Sequence, residues 1–120
     1  MTKIQNSKKY DLEERTLKFA RRVRAFLKLL PKIIANLEDG KQLIKASGSI
    51  GSNYIEANEA LSKKDFIVRI KICRKESKES RYWLKLIDTD ESDLENERKF
   101  LENEASELTN IFGAILRKSE

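Results

Sequence analysis

The chain has 120 residues, the size of one domain, and it contains no histidine and a single cysteine. These absences exclude histidine-based catalysis, an internal disulfide and the Cys/His clusters that bind zinc. No apolar run approaches the length of a membrane span, and residues 1–10 do not resemble a signal peptide. We therefore expect a cytoplasmic protein with no metal, no cofactor and no enzymatic activity.

The net charge of +5 is unevenly distributed along the chain. Residues 1–87 contain 21 Lys or Arg and 10 Asp or Glu, whereas residues 88–120 contain 4 Lys or Arg and 10 Asp or Glu. The first part is strongly basic and the last part is acidic. This distribution indicates that the protein binds a polyanionic ligand, an acidic partner subunit, or both.

The first predicted elements are a flexible basic tail over residues 1–10 and a helix that begins at Asp11. Asp11 is a suitable N-cap, and Glu14 three residues later completes a capping box. Apolar residues then recur at helical spacing as far as Leu30, where Pro31 disfavours helical geometry. The tail precedes a bundle domain predicted over residues 11–118.

A second helix is predicted from about Asp39 to Leu61, and residues 31–39 are left open between a helical turn and a loop. Its interior glycines, Gly48 and Gly51, each cost about 1 kcal/mol relative to alanine. A phosphate-binding loop is a poor explanation, because the segment lacks a Gly-Lys-Ser/Thr ending and a preceding strand. The favoured interpretation is that small residues here let a neighbouring helix pack closely.

The third and fourth helices have clearer signals. Ser62 is predicted to cap the third helix with Asp65, and Ser92 to cap the fourth with Glu95. Heptad-like seams follow in both helices, at Phe66, Ile70, Cys73, Ser77, Ser80, Leu84 and Ile87, and at Leu94, Leu101, Ala105, Leu108, Phe112 and Ile115. Four amphipathic helices with short connections predict an all-α protein, an antiparallel up-down-up-down four-helix bundle.

A basic stripe lies one position after the seam of the third helix. Its members are Lys71, Arg74, Lys78, Arg81 and Lys85, with Lys75 beside them. Such a stripe can follow a phosphate backbone. Two other interpretations are kept on equal terms: a solvated face paired with Glu76 and Glu79, or pairing with the acidic fourth helix.

Two further features bear on binding. The first helix has its own basic cluster, from which Lys18, Arg21 and Arg22 are the candidate nucleic-acid contacts. Tyr82 and Trp83 lie among the charges of the third helix, where aromatic rings can stack on bases. Burial as core or interface anchors is the favoured interpretation of both rings.

The segments Tyr10–Pro31, Gln42–Phe66 and Arg69–Leu86 resemble the bacterial 23S rRNA-intervening sequence proteins. The central motif is QLIKASGSIGSNYIEANEALSKKDF, and the resemblance covers about Tyr10 to Leu116. It implies a cytoplasmic four-helix bundle and a homopentameric ring, as in related accessory proteins of diversity-generating retroelements that bind nucleic acid. It implies no catalytic residues.

The sequence therefore predicts a non-catalytic nucleic-acid-binding protein that forms a homo-oligomer, with RNA favoured over DNA. The alternative is a scaffold or interaction protein whose basic surface binds an acidic protein partner. Neither the identity of the nucleic acid nor the biological process follows from these residues.

Overall fold

The computed structural model describes residues 2–120, with side chains described from Asp11 onward. Four helices account for nearly all of this part of the chain: α1 (Thr2–Leu29), α2 (Ile34–Asn58), α3 (Lys63–Leu86) and α4 (Ser92–Ser119). The predicted all-α four-helix bundle is confirmed. None of the helices described is both long enough and apolar enough to cross a membrane.

The helices form a closed ring in which α1 and α3 occupy diagonal positions. In the part of the chain that the structure describes, each of these two helices packs against α2 and α4, and α1 and α3 are not neighbours. Along neighbouring helices the contacts run in opposite numerical order: Arg15 meets Glu104, and Arg22 meets Glu97. This order follows from short connections between long helices.

The observed starts of α1, α3 and α4 agree with the predicted starts to different degrees. Ser62 caps α3 as predicted, because its hydroxyl accepts a 3.0 Å bond from the backbone N–H of Asp65. The prediction that Ser92 caps α4 is wrong: Glu91 is the N-cap, without a side-chain bond, and Ser92 is the first helical residue. The α1 helix begins before Asp11, at Thr2, so Asp11 lies within it. Residues 2–10 belong to α1, and the flexibility predicted for residues 1–10 stays a prediction.

The α2 helix begins at Ile34 instead of Asp39. A buried asparagine in its first turn, Asn36, links the two turns at one end of the bundle. Its amide nitrogen donates to the carbonyl oxygens of Pro31 (3.1 Å) and Asp88 (3.0 Å). Its amide oxygen accepts from the backbone N–H of Asp88 at 3.0 Å. These bonds fix the α1–α2 turn against the start of the α3–α4 turn.

The seams predicted for α3 and α4 form much of the core. Fully or almost fully buried side chains include Val23, Phe26, Leu43, Ile50, Ile70, Leu84, Leu101, Leu108 and Phe112. The two serines in the α3 seam satisfy their hydroxyls within the helix: Ser77 donates to the carbonyl of Cys73 and Ser80 to that of Glu76. A seam with small residues at its middle lets neighbouring helices approach α3 closely.

Cys73 lies in this core with no exposed surface. Its thiol donates to the carbonyl oxygen of Ile50 across the α2–α3 contact, with a sulfur–oxygen distance of 3.4 Å. Burial raises the pKa of this thiol to about 12. Because the thiolate is the reactive form, Cys73 has the character of a small core residue and not of a nucleophile.

The two interior glycines of α2 differ in what surrounds them. A Cβ built on Gly51 would lie 2.9 Å from Oγ1 of Thr16, which is buried and bonded to the carbonyls of Leu12 and Glu13. A Cβ on Gly48 would meet only the end of the Arg24 side chain, at 3.5 Å. The close approach of α1 to α2 therefore requires glycine at position 51. The sequence predicted the same packing role for Gly48, but no comparably close contact surrounds that residue.

Alanine substitutions separate these two positions. Gly51→Ala should lower the free energy of unfolding by about 1–3 kcal/mol, because overpacking against Thr16 outweighs the helix propensity of alanine. Gly48→Ala should raise the free energy of unfolding by up to about 1 kcal/mol, since it gains the propensity without the clash. Urea unfolding of both variants measures the difference. Equal effects of the two substitutions would contradict the close approach at Gly51.

Candidate nucleic-acid interface

The basic stripe of α3 lies on the surface, on the side of the helix that faces α4. All five members, Lys71, Arg74, Lys78, Arg81 and Lys85, are exposed. Within residues 11–120, the first three of them form no ion pair. Five cations over about 21 Å of helix therefore present a largely unneutralised row.

Glu102 of α4 is the carboxylate nearest to the stripe. The Arg81 Nε and the Lys85 Nζ each lie 3.9 Å from its Oε1. These are long separations for ion pairs, and both cations are about half exposed. Lys75, beside the stripe, is 4.0 Å from Glu79, which is the solvated pairing considered from the sequence. Pairing within the chain thus occupies part of the cationic surface and leaves most of it exposed.

An open groove of about 480 Å³ runs between α3 and α4 beside the stripe. Its α3 wall contains Lys78, Arg81, Tyr82 and Lys85, and its α4 wall contains Ser106, Thr109 and Asn110. We call this the α3–α4 groove. Sequence reasoning missed the α4 wall, although a signal was present: Ser106 and Thr109 each follow a seam residue by one position, as the stripe does on α3. Once the two helices are known to be neighbours, those positions face each other.

Most of the nearby acidic charge of α4 is directed away from this groove, toward α1. Arg15 forms a bidentate pair with Glu104, with nitrogen–oxygen distances of 2.7 and 2.8 Å, and a further 2.8 Å bond to Glu107. The hydrogen bonds to Glu104 raise the pKa of the Arg15 guanidinium, so it stays charged. The acidic fourth helix therefore neutralises α1 more than it neutralises the basic stripe.

The three candidate contacts on α1 are not brought together with the stripe. Arg22 is held by Glu97 through bonds of 2.6 and 2.9 Å, and its guanidinium lies 3.8 Å above the ring of Phe100. Arg21 lines a different groove, between α1 and α2, and Lys18 is exposed on α1. Because α1 is diagonal to α3, one short strand of nucleic acid cannot reach both clusters on the same molecule.

The two aromatic residues of α3 have different environments. Trp83 is half-buried against the core, in agreement with its predicted burial, whereas 56% of Tyr82 is exposed. The rings make an edge-to-face contact, with centroids 5.1 Å apart and planes at 73°. Trp83 therefore contacts a tyrosine ring that remains open to solvent.

Arg98 anchors α4 at one end of this interface. Its guanidinium is mostly buried and donates to Glu95 at 2.6 and 2.8 Å and to Glu102 at 2.9 Å. The bonds from Arg98, and a 2.7 Å bond from the Thr89 hydroxyl, lower the pKa of Glu95 to about 2. Glu102 is thus shared between a structural arginine and two cations of the basic stripe.

Comparison with known proteins shows the family of the chain. The model of the 23S rRNA-intervening sequence protein family matches residues 8–114. The chain belongs to that family. It is also similar to a crystal structure of a Bacteroides thetaiotaomicron protein of unknown function from the S23 ribosomal protein family, with a TM-score of 0.76 and 26% identity. That similarity covers 92% of this chain and 98% of the other. No curated protein matches the sequence.

The described part of this member of the 23S rRNA-intervening sequence protein family was compared with the basic stripe for other candidate sites. Residues 11–120 contain no group of three or more His, Cys, Asp or Glu side chains that could hold a metal ion. A second open recess is the α1–α2 groove of about 630 Å³, whose walls include Leu17, Arg21 and Ile55. The candidate binding site with the clearest ligand preference is therefore the row of cations on α3, which can bind an anionic polymer.

Proposed function

We propose that the protein is a non-catalytic, cytoplasmic nucleic-acid-binding protein that binds RNA in preference to DNA through α3. The observation that carries the proposal is the exposed basic stripe, three of whose members have no carboxylate partner in residues 11–120. The direction of the α4 carboxylates supports it, since they pair with α1 and leave α3 available. The family's name, which refers to 23S rRNA, supports RNA as the target.

The mechanism of binding is electrostatic. Lysine and arginine side chains that neutralise phosphates release condensed counterions, which provides affinity without reading sequence. Exposed lysines can adapt to a moving backbone, and arginines can hold a phosphate with two parallel bonds. Binding should therefore tolerate sequence changes and weaken steeply as salt is added.

Fluorescence anisotropy with a labelled single-stranded RNA and a DNA of the same sequence tests the proposal. The logarithm of the association constant should fall linearly with the logarithm of salt concentration, by about 0.7 per phosphate contacted on a single strand. A second RNA of the same length and different sequence is the control for sequence independence. Absence of binding at low salt would reject the function.

We further propose that the functional form is a homo-oligomer, and the resemblance implies five subunits. Exposed apolar residues along α2 support self-association: Ile34, Leu37, Ile44 and Ile55 are between 39% and 82% exposed. On α3, Val68, Tyr82 and Leu86 are exposed, whereas Ile67, Ile72 and Trp83 are half-buried and less available for contact. A ring of subunits would repeat the basic stripe and raise a weak affinity through multivalency. Native mass spectrometry at micromolar concentration tests this, and a monomer would contradict it.

One observation favours a second function, a scaffold that binds an acidic protein partner. Val68 and Leu86 are 48% and 45% exposed on the same helix as the stripe. An amphipathic acidic helix would use both the apolar and the cationic side chains, whereas phosphates use only the cations. Protein that binds no nucleic acid at low salt, yet co-purifies with an acidic protein in a salt-sensitive complex, would favour this alternative.

A further inference from the structure

The α3–α4 groove combines three kinds of side chain that a purely electrostatic surface does not need. Lys78, Arg81 and Lys85 supply positive charge along one wall, and Tyr82 exposes an aromatic ring beside them. Ser106 and Asn110 of the facing wall supply hydroxyl and amide groups. An isolated exposed tyrosine is ordinary on a protein surface. A tyrosine in a recess with cations on its own helix and polar groups opposite has the components that hold a nucleotide.

The geometry of Tyr82 suits stacking on a base. Its ring makes an edge-to-face contact with Trp83, at 5.1 Å and 73°, and 56% of the residue stays open to solvent, where a base can reach it. Tyr82 is one, three and four residues from Arg81, Lys85 and Lys78, so the ring lies within about one turn of each cation. Phosphate groups on either side of a stacked base can therefore meet cations of the same helix.

We infer that the α3–α4 groove binds an unpaired nucleotide, with its phosphates on Lys78, Arg81 and Lys85 and its base stacked on Tyr82. The inference rests on the proposed function and makes it more specific, because a base inside a duplex is not available for stacking. The protein therefore selects single strands over fully paired nucleic acid. Ser106 and Asn110 contact the sugar or the edge of the stacked base.

Glu102 limits the affinity of this groove. Its carboxylate lies 3.9 Å from both Arg81 and Lys85, where it competes with an incoming phosphate. Glu102→Gln removes the negative charge while retaining an oxygen that can accept the bond from Arg98. This substitution strengthens single-strand binding several-fold, whereas removal of any cation of the groove weakens it.

The test compares three RNA probes: a single strand, the same strand annealed to its complement, and an abasic strand of equal length that keeps the phosphates. Wild type, Tyr82→Phe and Tyr82→Ala are measured against each probe by anisotropy at low salt. Base–aromatic stacking predicts that Tyr82→Ala weakens single-strand binding about 10-fold and that Tyr82→Phe retains it. Duplex and abasic binding should be weaker for wild type and unchanged by either substitution.

Trp83 gives an independent readout, because it is the only tryptophan in the chain and adjoins Tyr82. Its emission should change when wild type binds the single strand and stay constant with the abasic strand. Wild-type binding to all three probes with equal affinity, and no effect of Tyr82→Ala, would overturn the groove inference and leave the electrostatic function standing. Absence of wild-type binding to any probe would overturn both.

Discussion

Replacing Lys71, Lys78 and Lys85 with glutamate is expected to weaken RNA binding by at least about 100-fold at moderate salt. The three lysines are exposed members of the stripe, and Lys71 and Lys78 have no ion-pair partner in residues 11–120. Each substitution removes a phosphate contact and places a like charge beside the backbone. The salt dependence should become shallower, because fewer counterions are released.

The control must change the net charge by the same amount elsewhere. Lys28, Lys32 and Lys45 are exposed on α1, on α2 and in the turn between them. Changing these three to glutamate alters the total charge identically and should reduce affinity much less. Helical circular dichroism should be the same for both triple variants. Equal loss in the two would show that net charge, and not the basic stripe, governs binding.

Asn36→Ala is expected to have the largest effect on stability of any polar substitution considered. It removes three hydrogen bonds and leaves the partly buried backbone groups of Pro31 and Asp88 without their partner. Because an unsatisfied buried polar group costs about 1–3 kcal/mol, the free energy of unfolding should fall by about 2–4 kcal/mol. Urea unfolding measures this, and Asn103→Ala, at an exposed site of α4, is the control with little effect.

Asn36→Asp tests separately whether the amide donor of this side chain is required. A carboxylate can still accept from the N–H of Asp88, but it would face the carbonyl oxygens of Pro31 and Asp88 without a proton to donate. The variant should therefore be less stable than wild type at neutral pH and recover partly in acid, where a protonated carboxyl can donate one bond. A loss below 1 kcal/mol for both Asn36 variants would contradict the role of this residue as a link between the turns.

The periodic features of the fold could be predicted from the sequence because they are local. Five members of the α3 seam, Ile70, Cys73, Ser77, Ser80 and Leu84, are all buried, as a heptad requires. The cap at Ser62 depends on a residue three positions away and was confirmed. Exposure of the basic stripe follows from the same periodicity, since it lies beside the seam.

What the sequence did not reveal depends on contacts between distant residues. The early start of α2 brings Asn36 to the backbone of Asp88, 52 positions away. The engagement of Arg22 depends on Glu97, and the need for glycine at position 51 depends on Thr16. The α4 wall of the groove appears only when the order of helices around the ring is known. No local pattern contains these long-range pairings, and the spacing of Ser106 and Thr109 becomes informative only with that helix order.

The buried thiol of Cys73 can be used to measure how often the bundle opens. A thiol-specific reagent can react only when the core is transiently exposed, because the closed form both excludes the reagent and keeps the sulfur protonated. As the chain has a single cysteine, the labelling rate counts those openings without interference from another thiol. A nucleic acid that binds only the folded bundle will slow the reaction by the factor one plus the ratio of ligand concentration to Kd. Affinity can thus be measured on unlabelled protein and unlabelled ligand, from a sulfur atom that the ligand never touches.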